Sequence, residues 1–243
     1  MRTFIVDAFT DEPFTGNPAG VCLSEAPLPE ETMLHIAQEL NLSETAFLHQ
    51  LETPGAHAIR YFSPKMEIPL CGHATLASAK VLIATEGLSE IHFTTGHGVE
   101  LTIGSDGPQI EMAFPVYETH PASAPPALLD ALGLDAIENS VYNEETEILL
   151  LEIASSSTLA KLAPDFAALV QSHDGINGVL VTAPGSSDGF DFHSRYFWPW
   201  SGTQEDPVTG ATHTFLAPYW SERLGKTRMQ SFQASARTGF MEV

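Results

Sequence analysis

The sequence predicts a mixed α and β fold made of two half-domains of like design, each wrapping strands about an apolar helix. Three observations predict it. Arg60-Tyr61-Phe62-x-Pro64 recurs as Arg195-Tyr196-Phe197-x-Pro199, and Glu67-x-Pro69-x-x-Gly72 recurs as Glu205-x-Pro207-x-x-Gly210. The connection between the two parts is three residues longer in the second copy, and an internal repeat is a primary fold signal. A strand–loop–helix order also occurs once in each half. Finally, the segment VYETHPASAPP, rich in Pro, Ala and Ser, reads as a linker. The chain is therefore divided into residues 1–117, carrying Glu44 and the CGHAT helix start, and residues 125–243, carrying the EDPVTG helix start.

Element by element, RTFIVDAF is apolar, β-branched and aromatic, and reads as a strand. DEPFTGNPAGVCL packs Pro13, Gly16, Asn17, Pro18 and Gly20 into a loop that leads to a second strand. PEETMLHIAQELNL has acids in its first turn and Met33, Leu34, Ile36, Ala37 and Leu40 at helical spacing. SETAFLHQL turns extended, and HAIRYFSP is a strand ended by proline. GHATLASAKVLIATEG is a helix of small and apolar residues closing at Gly87, too apolar for a surface helix and expected to be buried. IHFTTGHGVELTIGSDGPQIEMAFP alternates strands with glycine punctuation. In the second half, ALLDALGL, ETEILLLEI and STLAKLAPDFAALVQ read as helix, strand and helix. GVLVTAP and FDFHSRYFWP are strands, and TGATHTFLAPYWSERLG is a second glycine-started helix closing at Gly225.

Composition narrows the function classes. The chain has 243 residues, 43% hydrophobic and 17% charged, with 10 Lys+Arg against 31 Asp+Glu. A net charge of −21 leaves no footprint for nucleic acid or an anionic membrane surface. An anionic substrate would need positive potential supplied locally. No apolar run approaches a membrane span, and the N-terminus lacks the apolar core of a signal peptide. With two cysteines, Cys22 and Cys71, a disulfide framework is not expected and a reducing cytoplasm is. No close histidine pair of the HxxxH kind supports a metal site, and no GxGxxG or Walker loop implies a nucleotide, so no cofactor is expected.

The two helix starts offer a way to hold an anion. In each, a proline stiffens the approach and a glycine lets backbone come close. The first helical N–H groups lack intrahelical partners, and together with the helix dipole they can bind a carboxylate. Gly72, Gly210 and Ala211 are the candidate binding positions. Spacing alone supports this reading and ordinary packing equally. Three ionisable residues stand beside these turns: His73, Asp206, and Glu44 in NLSETAF. Glu44, flanked by Leu42 and Phe47, is placed for desolvation, which raises a carboxyl pKa towards the range useful for moving protons.

VDAFTDEPFTGNPAGVCL, NLSETAFL, RYFSPKMEIPLCGHATLASA and SRYFWPWSGTQEDPVTGATHTFLAPYW resemble, in order, the signature blocks of the phenazine-biosynthesis (PhzF-like) isomerase family. The resemblance implies an α+β fold of the diaminopimelate-epimerase-like kind. That fold has two pseudo-symmetric halves, each a curled, mostly antiparallel sheet around a central helix, with the active site in the cleft between them. It also implies a homodimer. The family's proton-shuttling glutamate falls on Glu44, its histidine on His73 and its aspartate on Asp206. Fold relatives that racemise amino acids use a cysteine from each half; here Cys71 stands near the first such place and Asp206 takes the second. Two features depart from the family. Ala211 stands where a serine is common, and the chain stops at Val243 where family members continue through further strands, so part of the second half's sheet, or its return to the first half, is expected to be missing or differently built.

The implied function is a cofactor-independent isomerase that shuttles a proton on a small carboxylated, cyclic or unsaturated metabolite. Glu44, His73 and Asp206 are its catalytic residues. An epimerase or racemase using Cys71 with a carboxylate is the alternative enzyme. A non-catalytic metabolite-binding protein is the alternative outside catalysis.

Overall fold

A computed structural model describes residues 1–107 and 109–243. They divide into two units, Met1–Ala8 with Asn17–Phe114, and Phe9–Gly16 with Pro115–Val243. The segment Phe9–Gly16 thus follows the first strand in sequence but packs with the second unit.

The first unit contains β1 (Arg2–Ala8), β2 (Asn17–Ser24), α1 (Glu30–Leu40), β3 (Glu44–Gln50), β4 (Ala56–Phe62), β5 (Glu67–Ile68), α2 (Gly72–Glu86), β6 (Glu90–Thr95), β7 (Glu100–Asp106) and β8 (Gln109–Met112). Its eight strands form one sheet in the order β1-β2-β3-β4-β6-β7-β8, with β5 beside β4. The β2–β3 and β4–β6 pairs are parallel, bridged by crossovers through α1 and α2, and the other pairs are antiparallel. Strand alternation sends Ala46, Leu48, Ile59, Tyr61, Ile91 and Phe93 to one face, where they enclose α2 through Ala74, Ala77, Val81 and Leu82. The small residues of α2 let the sheet curl closely around it. The opposite face carries Cys22, Phe47 and Phe62 against Met33 and Ala37 of α1.

The second unit contains β9 (His120–Pro121), α3 (Pro126–Leu132), β10 (Asn139–Asn143), β11 (Ile148–Glu152), α4 (Ser156–Leu159), α5 (Phe166–Ser172), β12 (Gly178–Pro184), β13 (Phe192–Trp198), β14 (Thr203–Glu205), α6 (His213–Leu224), β15 (Gln230–Gln233) and β16 (Gly239–Glu242). The sheet order is β16-β15-β13-β12-β11-β10-β9, with β14 beside β13. The β11–β12 and β13–β15 pairs are parallel, and the rest antiparallel. Strand for strand, β10 to β16 repeat the pattern of β1 to β7. Leu150, Leu180, Phe192 and Tyr196 face Phe215, Leu216, Tyr219 and Trp220 of α6. On the other face Leu149, Leu151, Val179, Val181 and Phe197 lie under α3, α4 and α5. This is the α+β, diaminopimelate-epimerase-like fold that the sequence predicts.

The repeat has a structural meaning. Arg60 of β4 donates through Nε to Glu67 Oε1 of β5 at 2.7 Å, and Arg195 of β13 does the same to Glu205 Oε1 of β14 at 2.7 Å. Each pair is bidentate, and each guanidinium lies over the phenylalanine two residues on, Phe62 at 5.2 Å and Phe197 at 4.9 Å. The longer connection in the second copy is a 3₁₀ turn, Pro199–Ser201, beside a register shift between Phe197 and Trp198.

Three expectations need correction. STLAKLAPDFAALVQ is two helices: Pro164 cannot continue α4, and Asp165 caps α5 by accepting from the N–H groups of Ala167 and Ala168. The second helix does not start at its glycine. His213 and Thr214 donate to the carbonyls of Gly210 and Ala211, so both residues lie in a turn and α6 begins at His213. Within the linker segment, His120 and Pro121 form β9 against Tyr142 and Val141.

Candidate active site

Glu44 opens β3 opposite Ala19 of β2, and Cys71 caps α2 in an extended conformation, with φ −143°. His73 lies in the first turn of α2. Crossover topology therefore brings together residues 29 positions apart, and their side chains meet. His73 Nε2 lies 3.4 Å from Glu44 Oε2, and His73 Nδ1 lies 3.4 Å from Cys71 Sγ. The carboxyl and the thiol each approach one nitrogen of the same imidazole. Among the described residues, ligand atoms of these three all lie within 4.8 Å of one another.

Burial sets the protonation of this cluster. The side chains of Glu44 and His73 keep only 19% and 11% of their surface exposed. Desolvation raises the Glu44 carboxyl above its ordinary range, against a lowering hydrogen bond from Ser43. Desolvation also pushes His73 down to about 4, so the imidazole is neutral at neutral pH. A carboxyl with a raised pKa beside a neutral imidazole can hold and release a proton without competing with an imidazolium.

The helix start is held from below. Thr75 Oγ1 donates to the Cys71 carbonyl at 2.7 Å, so the 2.6 Å contact with Tyr61 is a bond donated by the tyrosine hydroxyl. Phe114 lies over Gly72: a Cβ on that glycine would come within 3.0 Å of Phe114 Cζ. A side chain at Gly72 would require the Phe114 ring to shift.

The remaining sequence-predicted residues belong to the second unit and have their own network. Asp206 Oδ2 accepts from Thr209 Oγ1, and its backbone N–H donates to the Tyr196 carbonyl at 3.1 Å. Gln233, buried on β15, donates Nε2 to the Asp206 carbonyl at 2.8 Å and accepts the Thr209 N–H on Oε1 at 2.9 Å. Ser235 Oγ donates to the Pro207 carbonyl. Gly210 faces Phe9, whose Cζ would lie 2.9 Å from a Cβ there, and Ala211 is exposed. Sequence reasoning did not name Gln233, Ser235, Thr209, Phe9 or Phe114. The only signal for the first two is the Gln233-x-Ser235-x-Arg237-x-Gly239 pattern, which carries no chemistry until the loop it clamps is known.

The family model described as phenazine biosynthesis-like protein (PhzC-PhzF) matches residues 6–243. The chain belongs to this family. It is 46% identical to an uncharacterized isomerase of Pseudomonas aeruginosa, covering 100% of this chain and 90% of that one. It is 40% identical to phenazine biosynthesis-like domain-containing protein 2 of Mus musculus, covering 100% and 91%. Among solved structures, the PhzF family protein of Enterococcus faecalis aligns with a TM-score of 0.88 at 40% identity, covering 99% of this chain and 89% of that chain. The PhzF family membership and the isomerase names of its relatives support an isomerase activity in general. No helix among the described residues is long and apolar enough to cross a membrane.

Proposed function

We propose that this PhzF-family chain is a cofactor-independent isomerase that moves a proton between two carbons of a small carboxylated, cyclic or unsaturated metabolite. The observation that carries the reading is the packing of Glu44 against neutral His73 at 3.4 Å, with the carboxyl desolvated. The Glu44 carboxylate takes a proton from a carbon activated by the substrate's own unsaturation. The electron pair left behind delocalises into that system, and the protonated Glu44 returns the proton to a second carbon. Substrate and product are isomers, so no oxidant or co-reactant enters. Neutral His73 packs beside the carboxyl without adding a charge, and the N–H groups at the start of α2 supply the positive potential for the substrate carboxylate. Asp206 joins the reaction in this reading on its motif, and its own substitution tests it.

The test is proton NMR in deuterated water, screening small cyclic and unsaturated acids with wild type and Glu44→Gln. Deuterium is expected at a carbon of one acid with wild type, and at least about 100-fold more slowly with Glu44→Gln, the scale of one acid–base group. Binding of an acid by both proteins without exchange by either would replace the reading with a metabolite-binding protein. The 3.4 Å approach of Cys71 Sγ to His73 Nδ1 favours a second reading, an epimerase whose acid or base is the thiol. In that case Cys71→Ser abolishes exchange, whereas in the first reading it leaves exchange nearly unchanged.

A further inference from the structure

Glu44, His73 and Cys71 form a cluster whose donor chemistry extends beyond proton transfer. We propose that the trio is a binding site for a thiophilic divalent transition-metal ion of the zinc class, and that the bound ion silences the proton-handling centre. The binding stands on geometry and donor chemistry alone; the silencing rests on the function proposed above.

The donor set selects the ion class. Thiolate and imidazole favour zinc or cobalt(II), whereas magnesium and calcium take oxygen ligands. The distances fit as well. A tetrahedral ion about 2.3 Å from sulfur and about 2.0 Å from nitrogen leaves those two donors about 3.5 Å apart. Cys71 Sγ and His73 Nδ1 are 3.4 Å apart, so they form one ready edge of the site. The edge is rigid, because both residues sit at the start of α2 and Thr75 holds the Cys71 carbonyl.

Glu44 completes the set from β3, its carboxyl oxygen lying within 4.8 Å of the other two donor atoms. The Cys71 thiol gives its proton to solvent as the sulfur–metal bond forms, so binding releases one proton. Three protein ligands leave a fourth position for water or a carboxylate. A Glu44 carboxylate engaged by the ion can no longer take a proton from carbon.

The experiment is a cobalt(II) titration of the intact, reduced chain, followed by the near-ultraviolet thiolate-to-cobalt absorption, with zinc as competitor. The expected result is a band that saturates at one ion per chain, collapses on adding zinc and is absent from Cys71→Ser. Glu44→Gln should keep the band but weaken binding at least about 10-fold, since one of the three ligands becomes a weaker amide donor. No band, or a band that survives Cys71→Ser, overturns the site. Should Cys71→Ser not fold by circular dichroism, zinc protection of Cys71 against iodoacetamide in the wild-type chain replaces it: protection supports the site and unchanged alkylation overturns it. Exchange activity that persists under saturating zinc overturns the silencing while leaving the ion site. Binding by a chain that shows no exchange at all instead removes the proposed function.

Discussion

The two units share a topology but spend their residues differently. In the first, α2 runs 15 residues of mostly small side chains, starts directly at its glycine and carries His73 into the cluster with Glu44. In the second, α6 runs 12 residues with Phe215, Tyr219 and Trp220 buried on it and Pro218 inside, and starts three residues after its glycine. The outer faces differ too: one helix, α1, packs on the first sheet, and three pack on the second. The repeat thus preserves a frame, while titratable chemistry gathers at one helix start and bulky packing with a clamped loop at the other. A duplicated fold constrains strand pairing and hairpin geometry much more than it constrains what stands at the helix starts.

The repeated ion pair gives the sharpest way to break this comparison. Arg195 has 10% of its side chain exposed and also donates to the carbonyls of Leu159 and Leu162, whereas Arg60 has 30% exposed. Arg195→Ala leaves Glu205 and two carbonyls without their partner and should cost about 3–5 kcal/mol in urea unfolding. Arg60→Ala should cost about 1 kcal/mol, since solvent screens its pair. Equal costs would mean that burial does not distinguish the copies.

Both central helices also carry a buried histidine, and pH tests them together. Burial pushes His73 down to about 4, and pushes His213 down to about 4 despite opposing backbone hydrogen bonds at Thr209 and Gly210. The unfolded chain takes up these protons near pH 6.5, while the folded chain refuses them until about 4. Stability therefore falls as pH drops through that window, by up to about 3 kcal/mol per histidine. Glu44 works in the opposite sense: its raised carboxyl favours the protonated form, so its contribution is lost as pH rises through the folded pKa. Urea midpoints between neutral pH and pH near 4 should fall in wild type, and His213→Gln should flatten that dependence. A pH-independent midpoint would contradict the burial assigned to both rings.

Much of this was legible in the sequence, for reasons that particular residues show. The run Gly72–Glu86 is mostly small and apolar, with Lys80 and Glu86 its exposed charges, as a largely buried helix requires, and Gly87 ends it at φ 70°. Glu44 was legible because a carboxylate between Leu42 and Phe47 at the end of an amphipathic helix has little access to water. The two-residue strand β5 and three-residue β14 were not legible, because they are held by Arg–Glu pairs rather than by periodicity. The approach of Cys71 and His73 to Glu44 could not be derived from spacing, because local spacing cannot see a parallel crossover. Pro164 and Asp165 did announce the break between α4 and α5, but helical periodicity on both sides outweighed them.

The smallest expected effect lies at that break. Asp165→Ala removes the cap from α5 and should cost about 1 kcal/mol, read as a lower urea midpoint with the slope unchanged. No change would mean that packing of α5 on the second sheet holds it without a cap.

The most direct test of the account is the titration of Glu44 itself, by carbon NMR of a chain labelled at glutamate carboxyls, with Glu44→Gln identifying the signal. A midpoint clearly above 4.5 is expected, as desolvation beside a neutral imidazole requires. A midpoint at or below 4.5 would mean a solvated or ion-paired carboxylate, and would contradict the claim that Glu44 is the group poised to carry the proton.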